Sequence, residues 1–272
     1  MSASASSAET QATGNGEVWF VTGSNRGIGL EIARSALEAG NRVVATSRNP
    51  SQVEAELSVF GDQLLAIELD VTNQEQVRAA VAEAKNRYGR IDVLVNNAGY
   101  GQLGWFENTT DQEVRQQFEV NVFGSMNVAR AVLPVMRAQK SGHVIQFSSV
   151  AGQVAVAGSS TYSASKFAVE GWMEGLAAEI EPIGIQSTIV EPGFFRTDLL
   201  DESSATYASN SIEEYDAAVR EFLAFHEDMN HAQQGDPARL GKVIVQIAGM
   251  ETPPLRFFAG SDAVPLLIEK AE

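Results

Sequence analysis

Tyr162 and Lys166 stand four residues apart at the end of the stretch Ser148-Ser-Val-Ala-Gly-Gln-Val-Ala-Val-Ala-Gly-Ser-Ser-Thr-Tyr-Ser-Ala-Ser-Lys166. On a helix that spacing puts both side chains on one face, one turn apart. A phenol can pass a proton to and from a reacting oxygen, but a free one titrates near ~10, too high for efficient exchange at neutrality. An ammonium at ~5 Å and an effective dielectric of ~20 favours phenolate by roughly 3 kcal/mol, on the order of two pKa units. Ser149 follows an expected strand, Val144–Ser148, and is separated from Tyr162 by a Gly-containing loop. Its hydroxyl suits polarising a carbonyl and steadying a developing oxyanion, a role for which Ser148 competes. A lone Tyr-x-x-x-Lys pair arises often by chance, so its meaning depends on what surrounds it.

A second constellation lies near the start of the chain. Thr22-Gly-Ser-Asn-Arg-Gly-Ile-Gly29 falls between an expected strand, Val18–Val21, and an expected helix, Ile28–Ala39. Gly23, Gly27 and Gly29 allow a sharp turn, a close approach to a pyrophosphate and tight helix–sheet packing. The helix start then offers free N–H groups to the phosphates. The glycines read G-x-x-x-G-x-G rather than G-x-G-x-x-G, but their position after the first strand points to dinucleotide binding.

The residues after the second expected strand bear on which dinucleotide. NAD preference normally rests on an acid there that accepts from the ribose 2′-OH. Between Gly40 and Pro50 this chain reads Asn-Arg-Val-Val-Ala-Thr-Ser-Arg-Asn, with no acid. Ser47 and Arg48 stand in its place, and Arg26 lies in the loop facing the same corner. Guanidinium forks meet phosphate oxygens well, so NADP is expected over NAD. The alternative is that both arginines are solvated surface groups.

The elements that must position these groups follow from the alternation of short β-rich runs with amphipathic stretches, the pattern of a parallel sheet covered by helices. Further strands are expected at Val43–Thr46, Leu64–Glu68, Val93–Val95, Val144–Ser148, Gln186–Val190 and Leu255–Ala259. Asn49-Pro50 should cap and open a short helix, and Asp236-Pro237 a late one. Thr72–Glu75 and Thr110–Glu113 read as capping boxes, the second opening a long helix that Pro134 should kink or shorten. The fold class is α/β: one doubly wound domain over 17–272 with a seven-stranded parallel sheet. A disordered tail is expected over 1–16 and a substrate lid over about 194–235.

Composition narrows the function. At 272 residues and 44% apolar content the chain can bury one large core, and its net charge of −16 argues against nucleic acid or anionic membrane as partner. There is no cysteine, hence no thiolate nucleophile, disulfide or Cys-bound zinc, and His143, His226 and His231 have no metal-ligand spacing. No window approaches a membrane span, and residues 2–16 lack the features of a signal or transit peptide, so a cytoplasmic protein is expected.

With both constellations in hand, the chain resembles the short-chain dehydrogenase/reductase family from Val18 to about Thr197. Thr22-Gly-x-x-x-Gly-Ile-Gly29, Asp70-Val71, Asn96-Asn97-Ala98-Gly99, Asn121, Ser149, Tyr162, Lys166 and Pro192-Gly193 with Thr197 carry the resemblance. Ala45–Pro50, Asn97–Gly101 and Pro253–Arg256 look like the branch around 17β-hydroxysteroid dehydrogenases. Gln146 departs from the Asn that relatives often carry there. The resemblance implies a nicotinamide dinucleotide held by Gly23, Ser24, Arg26, Gly27, Ile28 and Gly29, with Arg48 beside them. Asp70 and Val71 would meet the adenine; Asn97, Ala98, Gly99, Pro192, Gly193, Thr197, Tyr162 and Lys166 would follow it to the nicotinamide end. It also implies a catalytic set of Asn121, Ser149, Tyr162 and Lys166, with Lys166 bonding the ribose.

Alternatives stay open at several positions. Asn121 is either a water-holding relay member or the partner in a local helix bond. Asp70 can cap a helix, Asn97 can tie neighbouring strands, and Thr197 can start a helix. The expected reaction is hydride transfer between NADPH and a hydrophobic ketone, aldehyde or secondary alcohol. Phe194, Phe195, Tyr207, Tyr215, Phe222, Phe225, Trp105 and Phe106 are candidates for an apolar pocket, unless they form lid core instead. A steroid substrate is one alternative; a dinucleotide-sensing regulator without turnover is another, though it needs no Ser149, Tyr162 and Lys166. The related halohydrin-cleaving lyases need no glycine loop. Small and apolar residues on the Asp111–Ala138 and Gly171–Ala178 helices point to a homodimer or homotetramer.

Overall fold

In the computed structural model, which describes residues 16–197 and 205–271, the runs of β-branched and apolar residues form a central parallel sheet. Its strands are β1 (Val18–Thr22), β2 (Arg42–Ser47), β3 (Leu64–Glu68), β4 (Val93–Asn96), β6 (Gly142–Phe147), β7 (Ile185–Pro192) and β9 (Arg256–Ala259). They lie in the order β3-β2-β1-β4-β6-β7-β9, all parallel and seven in number, as the sequence pattern predicts. The order reverses direction between β1 and β4, which makes that crevice, at the carboxyl ends of the strands, the natural ligand site. A short ribbon not foreseen from the sequence pairs β5 (Gly101–Leu103) with β8 (Ala205–Tyr207). The expected tail over 1–16 lies, apart from Gly16, outside the described residues, as do 198–204 of the expected lid.

The helices are α1 (Gly27–Glu38), α2 (Pro50–Leu57), α3 (Gln74–Tyr88), α4 (Asp111–Phe118), α5 (Ser125–Gln139), α6 (Ser160–Ile180), α7 (Asp216–Met229), α8 (Pro237–Ala248) and α9 (Ala263–Ala271). Side chains alternate across each strand, so Phe20 joins one core with Val44, Leu94 and Val144, while Trp19 joins another with Val43, Val93 and Ile145. The two cores on opposite faces hold the sheet rigid beneath its carboxyl edge.

Local signals held at some helix starts and not at others. Thr110 and Glu113 form the reciprocal capping box, and Asp236 accepts from Ala238 N–H and Arg239 N–H. Thr72 does not cap α3, because its hydroxyl donates to Asp70 Oδ1 at 2.7 Å. Asn73 caps instead, accepting from Glu75 and Gln76 N–H groups. Pro50 opens α2 as expected, but Asn49 makes no side-chain cap; its Oδ1 accepts from Ser51 instead. Pro134 sits inside the continuous helix α5. The long helix is divided elsewhere, by a π-helical turn over Glu119–Gly124 that widens the backbone around Asn121.

His143 is the second residue of β6, buried, with Nε2 at 2.9 Å from Thr188 Oγ1. The Thr188 hydroxyl donates onward to Pro254 O, so His143 is the donor of the pair, and Nδ1 has no partner. Burial pulls this imidazole from 6.5 down to about 4. Its neutral form is favoured by folding, so the associated stability is complete above pH 6.5 and is lost as pH falls toward 4, by about 3 kcal/mol in all. His143→Gln keeps a donor without the titration. In urea melts at pH 7, 5.5 and 4, the stability difference between parent and variant should narrow or reverse by about that amount; parallel curves would contradict it.

Candidate active site

The candidate site lies where the parallel strands end, at the carboxyl edge of the sheet. The loop after β1 turns at Gly23 with φ of +69°, a conformation glycine adopts without strain. A Cβ on Gly29 would lie 2.2 Å from Gly23 O and 2.4 Å from Asn97 Nδ2, so only glycine lets α1 start this close to β4. Thr22 fastens the two strand ends: its hydroxyl donates to Val95 O and accepts from Asn97 N–H and Ala98 N–H, both at 3.0 Å. Asn97 Nδ2 donates to Thr22 O and Gly23 O. The Asn97 amide therefore ties neighbouring strands, the structural option for that residue.

The result is a groove of roughly 730 Å³. Gly23, Arg26, Gly27, Ile28, Arg48, Asp70, Val71, Asn97, Ala98, Gly99 and Thr197 line it, all foreseen as cofactor residues. Ser24 does not. It is buried, with its N–H donating to Thr46 O and its hydroxyl to Val21 O, so it braces the turn from behind. Gly29 likewise acts through packing. Asp70 faces the groove while Oδ1 accepts from Thr72 N–H and hydroxyl, so lining and turn-forming roles coexist. Leu69, Asn25 and Tyr100 also line the groove. Sequence reading did not single out Leu69, Asn25 or Tyr100, whose only signal is that each lies in or beside a motif.

A recess of about 100 Å³ opens beside the groove, bounded by Phe147, Ser148, Ser149, Tyr162, Lys166, Pro192, Gly193 and Phe195. It shares Ile28, Asn97, Gly99, Tyr100 and Thr197 with the groove. Strand β6 delivers the serines and α6 delivers Tyr162 and Lys166 on one face. Lys166 is buried, its Nζ donating to Phe147 O at 3.1 Å and standing 5.7 Å from the Tyr162 ring centre. Burial pulls the Lys166 ammonium down to about 8, against an opposing pull from Glu170.

The expected depression of the Tyr162 phenol by Lys166 is not what the pocket does in this form. Burial raises Tyr162 above its ordinary value, and the Ser149 hydroxyl offsets part of that rise. The hydrogen bond of the ammonium goes to a main-chain carbonyl, Phe147 O. Tyr162 is therefore held protonated at neutral pH. Ser149 Oγ accepts from Ala151 N–H at 3.1 Å, which fixes the serine rotamer.

Asn121 does something neither reading anticipated. The π-turn aims its amide across to the β4–β5 loop, where Oδ1 accepts from Tyr100 N–H at 3.1 Å and Nδ2 donates to Tyr100 O at 2.9 Å. It clamps the wall shared by groove and recess. Gln146 is buried and donates to Ser125 Oγ and Phe147 O, so the departure at that position remains within the strand framework. Several of the expected pocket aromatics pack on one another instead: Trp105 packs edge-on against Phe222 at 5.6 Å, and Phe222 lies 4.1 Å from His226. Phe106 and Phe225 are exposed, and of the eight aromatics named only Phe195 borders the recess.

The family model for short chain dehydrogenases matches residues 17–208. The chain belongs to the short-chain dehydrogenase family. It is 42% identical to a short-chain dehydrogenase from Streptomyces avermitilis whose solved structure superposes with a TM-score of 0.85, covering 94% of this chain and 92% of that one. An oxidoreductase of Botryotinia fuckeliana is 38% identical over 94% of this chain and 93% of its own length. A 3-ketodihydrosphingosine reductase of Bacteroides thetaiotaomicron is 36% identical over 90% of this chain and 88% of its own length. The family is thereby established as an oxidoreductase family; the branch around 17β-hydroxysteroid dehydrogenases is not singled out among these relatives. Among the described residues no acidic or histidine cluster fit for a metal occurs, and no helix is long and apolar enough to cross a membrane.

Proposed function

We propose that this short-chain dehydrogenase is an NADP-dependent carbonyl reductase or alcohol dehydrogenase acting on a hydrophobic ketone, aldehyde or secondary alcohol. One observation carries the reading: the recess holding Ser149, Tyr162 and Lys166 shares five wall residues, Ile28, Asn97, Gly99, Tyr100 and Thr197, with the glycine-loop groove. A regulator that only sensed dinucleotide would not need an acid set against the same wall.

The groove fits a dinucleotide because the glycines leave a cradle that side chains would fill, and because the N-terminus of α1 faces it. Gly23, Arg26, Gly27, Ile28, Arg48, Asp70, Val71, Ala98, Gly99, Pro192, Gly193 and Thr197 would hold the cofactor, which when bound supplies or accepts hydride. Tyr162, protonated at neutral pH, donates its phenolic proton to the substrate oxygen during reduction and takes it back during oxidation. Ser149 donates a hydrogen bond to the same oxygen as negative charge builds there. Lys166 orients the ribose and lends positive charge to the recess, and Asn121 keeps the Tyr100 wall in register. The ketone in the name of one relative supports a carbonyl substrate. Absorbance at 340 nm across ketones, aldehydes and alcohols with both cofactors tests the assignment; no turnover on any of them would refute it.

The same reading includes a homodimer. Gly171 and Gly175 on α6 have open space where a side chain would stand, and Phe167 and Phe123 are exposed on α6 and the π-turn. Small residues beside exposed aromatics suit close approach of a second copy. Light scattering at micromolar protein should give at least twice the chain mass of 29.2 kDa; a monomer would contradict the assembly.

A further inference from the structure

The wall that Pro192 and Gly193 give to the catalytic recess is held by the last segment of the chain, which lies beyond the stretch matched by the family model. Gly193 N–H donates to Ala259 O at 2.8 Å, at the end of the β7–β9 pairing. The next amide, Phe194 N–H, donates to Asp262 Oδ2 at 2.7 Å. Asp262 stands in the turn after β9, immediately before α9. A Cβ on Gly193 would lie 2.4 Å from Asp262 Oδ2 and 2.5 Å from Oδ1, too close for any side chain to stay. Gly260 has the same neighbour: its φ is +109°, and a Cβ there would meet Asp262 Oδ1 at 2.5 Å. Two glycines therefore clear the space through which one carboxylate reaches one main-chain amide.

The far end of α9 is tied to elements that carry the catalytic groups. Lys270 donates to Gln153 O, and its Nζ stands 4.8 Å from the ring centre of Phe167, the residue after Lys166. Gln153 follows the 3₁₀ turn Val150–Gly152, which Ser149 caps. Asp262 itself lines neither the groove nor the recess. Its influence on a bound ligand must pass through Gly193 and Phe194, not through contact. Such remote support matters to rate, because a wall displaced by about 1 Å can cost ~100-fold.

We propose that Asp262 is a positioning residue for this wall: its carboxylate holds the Phe194 amide and so fixes Gly193 where it borders the recess with Ser149 and Tyr162. This rests on the proposed use of that recess for reduction. Asp262→Ala should lower kcat about tenfold or more, while binding of 2′-phospho-ADP-ribose or ADP-ribose, the cofactors without their nicotinamide, stays within about twofold. Asp262→Asn keeps an oxygen that accepts from the amide and should restore kcat to within about threefold. Gly193→Ala should cost about tenfold less in the Asp262→Ala background than in the parent, because the carboxylate it strikes is gone. Hydrogen exchange read by mass spectrometry on peptides across 190–197 needs no turnover. Asp262→Ala should speed the Phe194 amide about tenfold or more and leave peptides from β1 and β4 unchanged. Parental kcat in folded Asp262→Ala overturns the proposal, as does an Asn variant as slow as the Ala variant or an equal cost of Gly193→Ala in both backgrounds. Loss of ADP-ribose-type binding in parallel with kcat also overturns it, since that marks a general loosening. If Asp262→Ala does not fold, Asp262→Ser, whose hydroxyl falls short of the amide, takes its place with the same outcomes. Faster exchange at Phe194 in a protein that reduces nothing would refute the proposed reaction and leave this link standing; unchanged exchange overturns the link.

Discussion

Tyr162→Phe is expected to lower turnover at least ~100-fold, the usual range for losing a general acid. The substitution keeps the ring in its place on α6 and removes only the hydroxyl beside Ser149. Cofactor affinity should change little, because the groove walls supplied by Gly23, Gly27 and Asp70 are untouched. The loss should therefore fall on kcat rather than on the Michaelis constant for cofactor. Steady-state kinetics with dinucleotide binding measured by fluorescence separate the two, and near-parental turnover would remove Tyr162 from the mechanism.

The second large effect concerns cofactor choice. Asn25, Arg26, Ser47 and Arg48 line one corner of the groove, and no acid follows β2 to accept from a ribose 2′-OH. A 2′-phosphate brings up to two negative charges, and each charge-assisted contact contributes about 1.5–3 kcal/mol, so two amount to a preference of about a hundredfold or more. NADPH should support reduction at much lower concentration than NADH, and Arg48→Asp should narrow or reverse the gap. Equal kinetic constants for the two cofactors in the parent protein would contradict this. Arg48 is exposed, so the substitution is not expected to disturb folding.

Much of this site was legible in the chain because its parts are local. A glycine loop, a Tyr-x-x-x-Lys pair and a serine after a strand each announce themselves within a few residues, and alternating strand and helix patterns bring them to one edge. What was not legible depends on contacts between distant segments. Thr72 lost its cap because Asp70 takes its hydroxyl, and the π-turn at Asn121 has no signature comparable to Pro134, which the helix simply absorbs. The balance at Tyr162 was misjudged for a similar reason. Spacing puts Lys166 near the phenol, but only the fold shows that the ammonium donates to Phe147 O and that burial raises the phenol, opposed by the Ser149 hydroxyl. The aromatics between 194 and 235 could not be assigned to pocket or core without knowing that Trp105 packs onto Phe222.

Hydride transfer itself is the most direct test. NADPH carrying deuterium at C4, on one face and then the other, would be incubated with the protein and the ketones that give a signal at 340 nm, and the alcohols examined by mass spectrometry and NMR. The account predicts one deuterium on the carbinol carbon from one labelled face only, and its loss in Tyr162→Phe to the same extent as turnover. Alcohol formed without deuterium from either face, or labelled product at the parental rate in Tyr162→Phe, would contradict it.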